Sequence, residues 1–183
     1  MKSFFYTLMA IFFLGLVPPD SYAFESKPYS YEIGGSIQIG EPLPKNISTL
    51  SKIKYISDGE KAVLVNNSNK ELLIIDFCCG GTGEIQRILV KHNTALNKYT
   101  NPTNFKTFST GNEIKLGVEN KKILSQLGEP NEVEYSDGRT IFHYIIDDSH
   151  HPFLKKYNMP AYFEKYTFKD NVLESFEFGF AYP

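Results

Sequence analysis

An order of features recurs along this chain, and it limits the folds open to it more than any other property. The first occurrence runs Ile37-Gln38-Ile39-Gly40, then Leu43, Ile47 and Leu50, then Tyr55-Ile56-Ser57-Asp58-Gly59. The second runs Ile114-Lys115-Leu116-Gly117, then Val118, Ile123, Leu124 and Leu127, then Tyr135-Ser136-Asp137-Gly138. Each continues into three strand-like runs, and the offset is about 77 residues, nearly half of the chain expected to remain after signal cleavage. The predicted fold class is therefore α+β: two tandem repeats, each a short helix packed on an antiparallel meander sheet.

The second copy gives the clearer pattern. Gly117 ends a short strand, and Glu119 or Asn120 starts a helix. Ile123, Leu124 and Leu127 share one face at helical spacing, with Lys121, Lys122 and Gln126 on the other. Gly128 can take the left-handed conformation that closes a helix, and Pro130 forbids its continuation. Glu132–Tyr135 and Thr140–Ile146 flank Asp137-Gly138, a pair suited to a two-residue hairpin. A loop from Asp147 to Pro160 follows. Ala161–Phe168 and Val172–Ala181 form a second hairpin around Lys169-Asp170-Asn171, with Phe176, Phe178 and Phe180 on one face, opposite Glu177 and Gly179.

In the first copy, Pro42 and Pro44 confine any helix to about Lys45–Ser51. Strands are expected at Ala62–Asn66, Glu71–Phe77 and Glu84–Lys91, the last two joined by the turn Gly80-Gly81-Thr82-Gly83. The expected organisation is a signal peptide over 1–23, a first helix-plus-sheet repeat over 24–93, a connector rich in Asn, Thr and Lys over 94–111, and a second repeat over 112–183. Two stacked sheets and one continuous eight-stranded sheet are both compatible with this reading.

Residues 1–23 read as a cleavable secretory signal. Lys2 supplies a positive start, Phe4 to Val17 is almost wholly apolar, and Pro18 and Pro19 stop any helix. Ser21 and Ala23 put small residues where a signal peptidase cuts. The apolar run falls short of the roughly 20 residues that span a bilayer, so no integral membrane span is expected after cleavage near Ala23. No Cys stands near that point, which argues against a lipoprotein anchor. The expected address is a bacterial periplasm or the extracellular space. An apolar fraction of 42% suffices for a buried core. A net charge of −2, with Lys and Glu intermixed, gives no basic stripe, so a nucleic-acid partner is not expected.

From Gly117 to Pro130 the segment IKLGVENKKILSQLGEP, followed by DGRTIFHYII, resembles the SmpA/OmlA-like group of small bacterial envelope domains. Gly117, Leu127, Gly128, Pro130 and Tyr144 stand where that pattern has them; Glu119 departs from its usual Ser or Thr cap. The resemblance covers about 70 residues of the second half and rests on structural positions. It implies a non-catalytic envelope module that binds other proteins. The tandem arrangement also looks like that of β-lactamase-inhibitory proteins, whose sheets present an aromatic surface to an enzyme.

Chemistry-bearing motifs are sparse. Asp147-Asp148-Ser149-His150-His151 is the densest ligand-like cluster, but adjacent histidines seldom share one ion. Surface polar loop, weak metal site and catalytic site are the three readings of it. Cys78 and Cys79 are adjacent, which suits an ordinary disulfide between them poorly. Buried thiols, a strained vicinal bridge and intermolecular pairing stay open. Gly80–Gly83 lacks the Lys-Ser/Thr and helix of a phosphate loop, and no Ser has nucleophile-elbow context. No cofactor, metal or catalytic residue is assigned. The alternative is a metal- or thiol-dependent envelope enzyme using the Asp147–His151 loop or Cys78/Cys79. Aromatics crowd the second half, and Tyr is favoured at interfaces because it gives large contact area with little lost flexibility. Two readings of these aromatics stay open: one face forms the core with the Tyr hydroxyls along its rim, or a sheet face or loop rim binds a protein. On the second, Tyr144, Tyr157, Tyr162 and Tyr166 are the candidate partner-binding residues, for a protein partner in the envelope or extracellular space.

Overall fold

The computed structural model describes residues 30–48, 54–56, 61–78, 83–94 and 103–181. The expected signal over 1–23, Cys79 and most of the Gly80–Gly83 turn lie outside the described residues. In chain order the elements are β1 (Glu32–Ile33), β2 (Ile37–Gln38), α1 (Lys45–Ser48), β3 (Lys54–Ile56), β4 (Lys61–Val65), β5 (Glu71–Phe77) and β6 (Ile85–His92). Then come α2 (Asn120–Leu127), β7 (Glu132–Ser136), β8 (Arg139–Ile146), α3 (Pro152–Tyr157), β9 (Ala161–Lys169) and β10 (Val172–Ala181).

Eight strands form one continuous antiparallel sheet in the order β3-β4-β5-β6-β10-β9-β8-β7. Every neighbour in it is also a neighbour in sequence except at the centre. There β6 meets β10, pairing Val90 with Phe176 and Ile88 with Phe178. Helices cover one face. Ile47, Ile123, Leu127, Phe153 and Leu154 join Leu64, Leu73, Ile75, Ile88, Phe176, Phe178 and Phe180 in one apolar cluster. This is a mixed α+β fold with helices packed on an antiparallel sheet. The cluster runs from Ile33 to Phe180 and marks no clear division into two repeats.

Local chemistry accounts for the elements. Along β9 burial alternates residue by residue, as a strand with one covered face requires. Asp137 and Gly138, with φ of 51° and 71°, form the two-residue turn with both central residues left-handed that suits a twisted hairpin. Asp170 and Asn171, at 50° and 64°, do the same between β9 and β10. α2 begins at Glu119 without a side-chain cap and ends at Gly128, whose N–H donates to the Leu124 carbonyl. Its eight residues hold because Ile123 and Leu127 are buried on the sheet.

Several expectations need correction. Ile114–Leu116 is not a strand: the Thr110 N–H donates to the Ile114 carbonyl and the Ile114 N–H to Thr110 Oγ1, so a turn satisfies this backbone. Ile37-Gln38 is a strand and, among the described residues, pairs with β1, outside the main sheet. The expected loop over 147–160 contains α3, which Pro152 opens at its first turn and Asn158 closes in the left-handed conformation. From Thr103 onward the connecting stretch packs into the core: Phe108 is fully buried, and its N–H donates to Glu71 Oε2.

Candidate functional site

Of the four tyrosines singled out from the sequence, Tyr162 and Tyr166 lie on the covered side of the sheet beside the Glu164 carboxyl, while Tyr144 and Tyr157 bond elsewhere. Tyr162, Glu164, Tyr166 and Phe168 are in phase along β9, and all four point into the core. Tyr162 is 1% exposed, Tyr166 0% and Glu164 2%. Glu164 Oε1 accepts from the Ser30 N–H at 3.0 Å, and Oε2 accepts from the Tyr166 hydroxyl at 2.6 Å. Because that phenol gives its one proton to Glu164, the Ser30 hydroxyl, 2.7 Å away, donates to the phenol oxygen. The Tyr162 hydroxyl donates to the Ser30 carbonyl. Three residues of one strand thus hold the N–H, hydroxyl and carbonyl of a single serine that lies far away in sequence.

Tyr144, 8% exposed, meets the Tyr166 ring edge-on at 5.9 Å, and its hydroxyl donates to the Gly128 carbonyl at 2.9 Å, tying β8 to the end of α2. Tyr157 is half-buried on α3, packed on Phe153 and Phe180, and donates to Glu41 Oε1 at 3.0 Å. The structure therefore corrects the surface placement of three of the four: Tyr144, Tyr162 and Tyr166 are core residues, and their hydroxyls bond inside the protein. Burial, reinforced by the Glu164 carboxyl, drives the Tyr162 and Tyr166 phenols well above the usual tyrosine range. A phenol so held keeps its proton and cannot act as a base. Ser30 is itself 0% exposed. The constellation is a latch.

The other candidates are spread apart. His150 is mostly exposed, with its ring 3.3 Å from Asp148 Oδ1. The His150 N–H donates to that same carboxylate and is the main cause of its lowered pKa. The His151 ring accepts the Phe153 N–H and so caps α3. His143 lies beside Glu134 at 3.3 Å, across the β7–β8 pair. The Cys78 N–H donates to the Glu84 carbonyl as β5 turns toward β6. Among the described residues, no group of three or more His, Cys, Asp or Glu side chains converges as a metal site would require. A cavity of about 330 Å³ opens beside α3, lined by Ser149, Leu154, Lys155, Asn158, Met159 and Pro160; neither His150 nor His151 lines it.

The second face of the sheet is different in character. At its β4–β5 end Val63, Val65 and Leu72 are buried with Ile74 against them. Toward β8–β10 it is partly open. Ile145, 46% exposed, pairs directly with half-exposed Phe163, whose other neighbour is Gly179. Beside this apolar pair runs a cross-strand row of polar and charged residues: Glu132, His143, Lys165, Glu177. Arg87 links the row to the next strand, 3.0 Å from Glu177 and with its Nε 2.8 Å from Asp76. The sequence reading passed over this row and over Glu164. Both were available in the two-residue period, since Glu164 keeps phase with three aromatics and Phe163, Lys165 and Ile145 fall out of phase with them. No family model, curated protein or solved structure matches this chain.

Proposed function

We propose that this chain is a non-catalytic, exported module that binds a protein partner in the periplasm or outside the cell, in an envelope-assembly or inhibitor-like role. The observation that carries the reading is the second face at β8–β10. Ile145 and Phe163 form an apolar patch, and Glu132, His143, Lys165, Glu177 and Arg87 form a polar and charged border along one side of it. An apolar patch bordered by polar residues is the usual anatomy of a protein interface. Ser30, Glu164 and Tyr166 are held in the latch, and His151 of the Asp147–His151 cluster caps α3. The leader-like residues 1–23 support export.

The finer architectural reading, two tandem copies of one unit, is supported by the strand order: each half contributes a four-strand meander, and the last strands of the two pair antiparallel. The likeness to SmpA/OmlA-like domains stands on Gly117, Leu127, Gly128, Pro130 and Tyr144, of which Leu127, Gly128 and Tyr144 serve the packing of α2. The test is affinity capture from envelope and culture fractions with the mature chain and with the double variant Ile145→Glu/Phe163→Ala. The reading expects a protein retained by the parent chain and released by the variant at unchanged thermal stability. Equal retention by both, or capture of nothing, refutes the assignment of this face.

A further inference from the structure

β7 closes one end of the sheet and, among the described residues, pairs only with β8. All five of its residues are exposed, including Val133 at 39% and Tyr135 at 78%. Edge strands of native proteins are usually blunted by short length, charged side chains (Lys above all), Pro, a bulge or a covering element, because a regular open edge invites another strand; β7 carries charge only as Glu132 and Glu134. Glu132–Ser136 has no Lys and no Pro, and its register with β8 is uninterrupted from Glu132↔His143 to Ser136↔Arg139.

Which backbone groups face outward follows from the turn. With a two-residue loop at Asp137-Gly138, Ser136 and Arg139 form the closing hydrogen-bonded pair. Hydrogen-bonded and open pairs then alternate, so Glu134 and Glu132 bond to β8 while Val133 and Tyr135 turn N–H and C=O to the free edge. The side chains divide the same way. Val133 and Tyr135 lie on the helix-covered side, whereas Glu132 and Glu134 lie on the second face, where Glu134 already neighbours His143.

We infer that the outer edge of β7 docks an extended partner segment that alternates apolar and basic residues. Residues paired with Val133 and Tyr135 must be apolar to cover them, and the residue between them faces the Glu134 carboxylate, which a Lys or Arg satisfies. A second copy of this chain fits badly. Antiparallel self-pairing that sets Val133 opposite Tyr135 also sets Glu134 opposite Glu134, and like charges directly opposed across strands destabilise the pair. Acidic side chains thus discourage self-association while leaving the edge open to a basic strand. This inference rests on the reading of the chain as a binding module and extends the sheet beyond the Ile145/Phe163 face.

The test uses the purified chain and a short fluorescent peptide of alternating Lys and Val, followed by anisotropy, with a peptide carrying Glu in place of Lys as control. Val133→Pro removes one outward N–H at a position that gives nothing to the β7–β8 ladder, so the hairpin survives it. The expected result is saturable binding of the Lys peptide, weakened at least about tenfold by Val133→Pro, and a preference reversed toward the Glu peptide by Glu134→Lys. In the parent chain the peptide slows hydrogen exchange at the Val133 and Tyr135 amides and leaves Glu132 and Glu134 unchanged, a readout that needs no variant. Equal binding of the two peptides, no binding, or unchanged exchange at Val133 and Tyr135 overturns the inference. Loss of the edge result with capture still sensitive to Ile145→Glu refutes the edge alone; the converse refutes the face and leaves the edge.

Discussion

Replacing Tyr166 by Phe removes one oxygen atom and leaves the aromatic packing in place. The ring keeps its edge-on contact with Tyr144 and its stacking with Phe176. Two buried hydrogen bonds disappear, the 2.6 Å bond to Glu164 and the 2.7 Å bond from Ser30. Both former partners stay buried, Glu164 at 2% and Ser30 at 0%, so water does not replace what is lost. A bond to a carboxyl contributes about 1.5–3 kcal/mol and a neutral one about 1, which puts the expected loss near 3 kcal/mol. For a domain of this size that lowers Tm by about 6–12 °C. Guanidinium unfolding should show a lower midpoint at an unchanged slope, since the denatured surface is the same. Tyr157→Phe is the control: its hydroxyl bonds Glu41 at a half-exposed site, and the loss should stay within about 1 kcal/mol. A Tyr166→Phe change below about 0.5 kcal/mol, the range of ordinary surface substitutions, would refute the latch.

Alkaline pH gives a second check, with the sign fixed by the buried phenols. Tyr162 and Tyr166 have raised folded pKa values, so they contribute nothing to pH dependence while both states are protonated, and stability falls as pH rises above the ordinary tyrosine pKa of about 10. The slope approaches about 1.4 kcal/mol per pH unit for each phenol, readable by denaturation at stepped pH; a flat profile above that point contradicts their burial. At the central seam, a Cβ on Gly179 would lie 2.5 Å from the Gln86 carbonyl oxygen and 2.8 Å from Arg87 Cα. Gly179→Ala should therefore cost about 1–3 kcal/mol, measured by the same unfolding curves, and a neutral result would mean that β6 and β10 do not meet as closely as described. In the Asp147–His151 loop, His151→Ala should remove a helix cap worth about 1 kcal/mol while His150→Ala is near neutral. Metal-dependent stabilisation of the parent chain, abolished by His150→Ala, would instead make this loop a ligand set.

What the sequence disclosed was the local chemistry. Asp137-Gly138, Gly128 with Pro130, and the run Glu71–Phe77 each carry their structure within a few residues, and each element formed where those signals placed it. α3 escaped because its six residues follow a conspicuous polar cluster, although Pro152 and Asn158 are an adequate start and stop. The tyrosines were misplaced for a different reason. Period-two patterning put Tyr162 and Tyr166 in phase with Phe168, but a hydroxyl argues for the rim of a core unless a buried partner is known. That partner is Glu164, completed by Ser30 from the opposite end of the described chain, and no local pattern encodes so distant a pairing. The junction of β6 with β10 is non-local in the same sense. The open face was legible only as the remainder, the residues left once the core phase had been assigned.

Photo-crosslinking in the producing cell tests the binding claim most directly. A photoreactive phenylalanine placed at Phe163, and separately at Ile145, reports whatever touches the open face, while the same group at exposed Lys155 on α3 reports the helical side. The account predicts a discrete adduct with an exported or envelope protein from positions 163 and 145 and none from 155. An adduct confined to position 155, or its absence from both sheet positions, would contradict it.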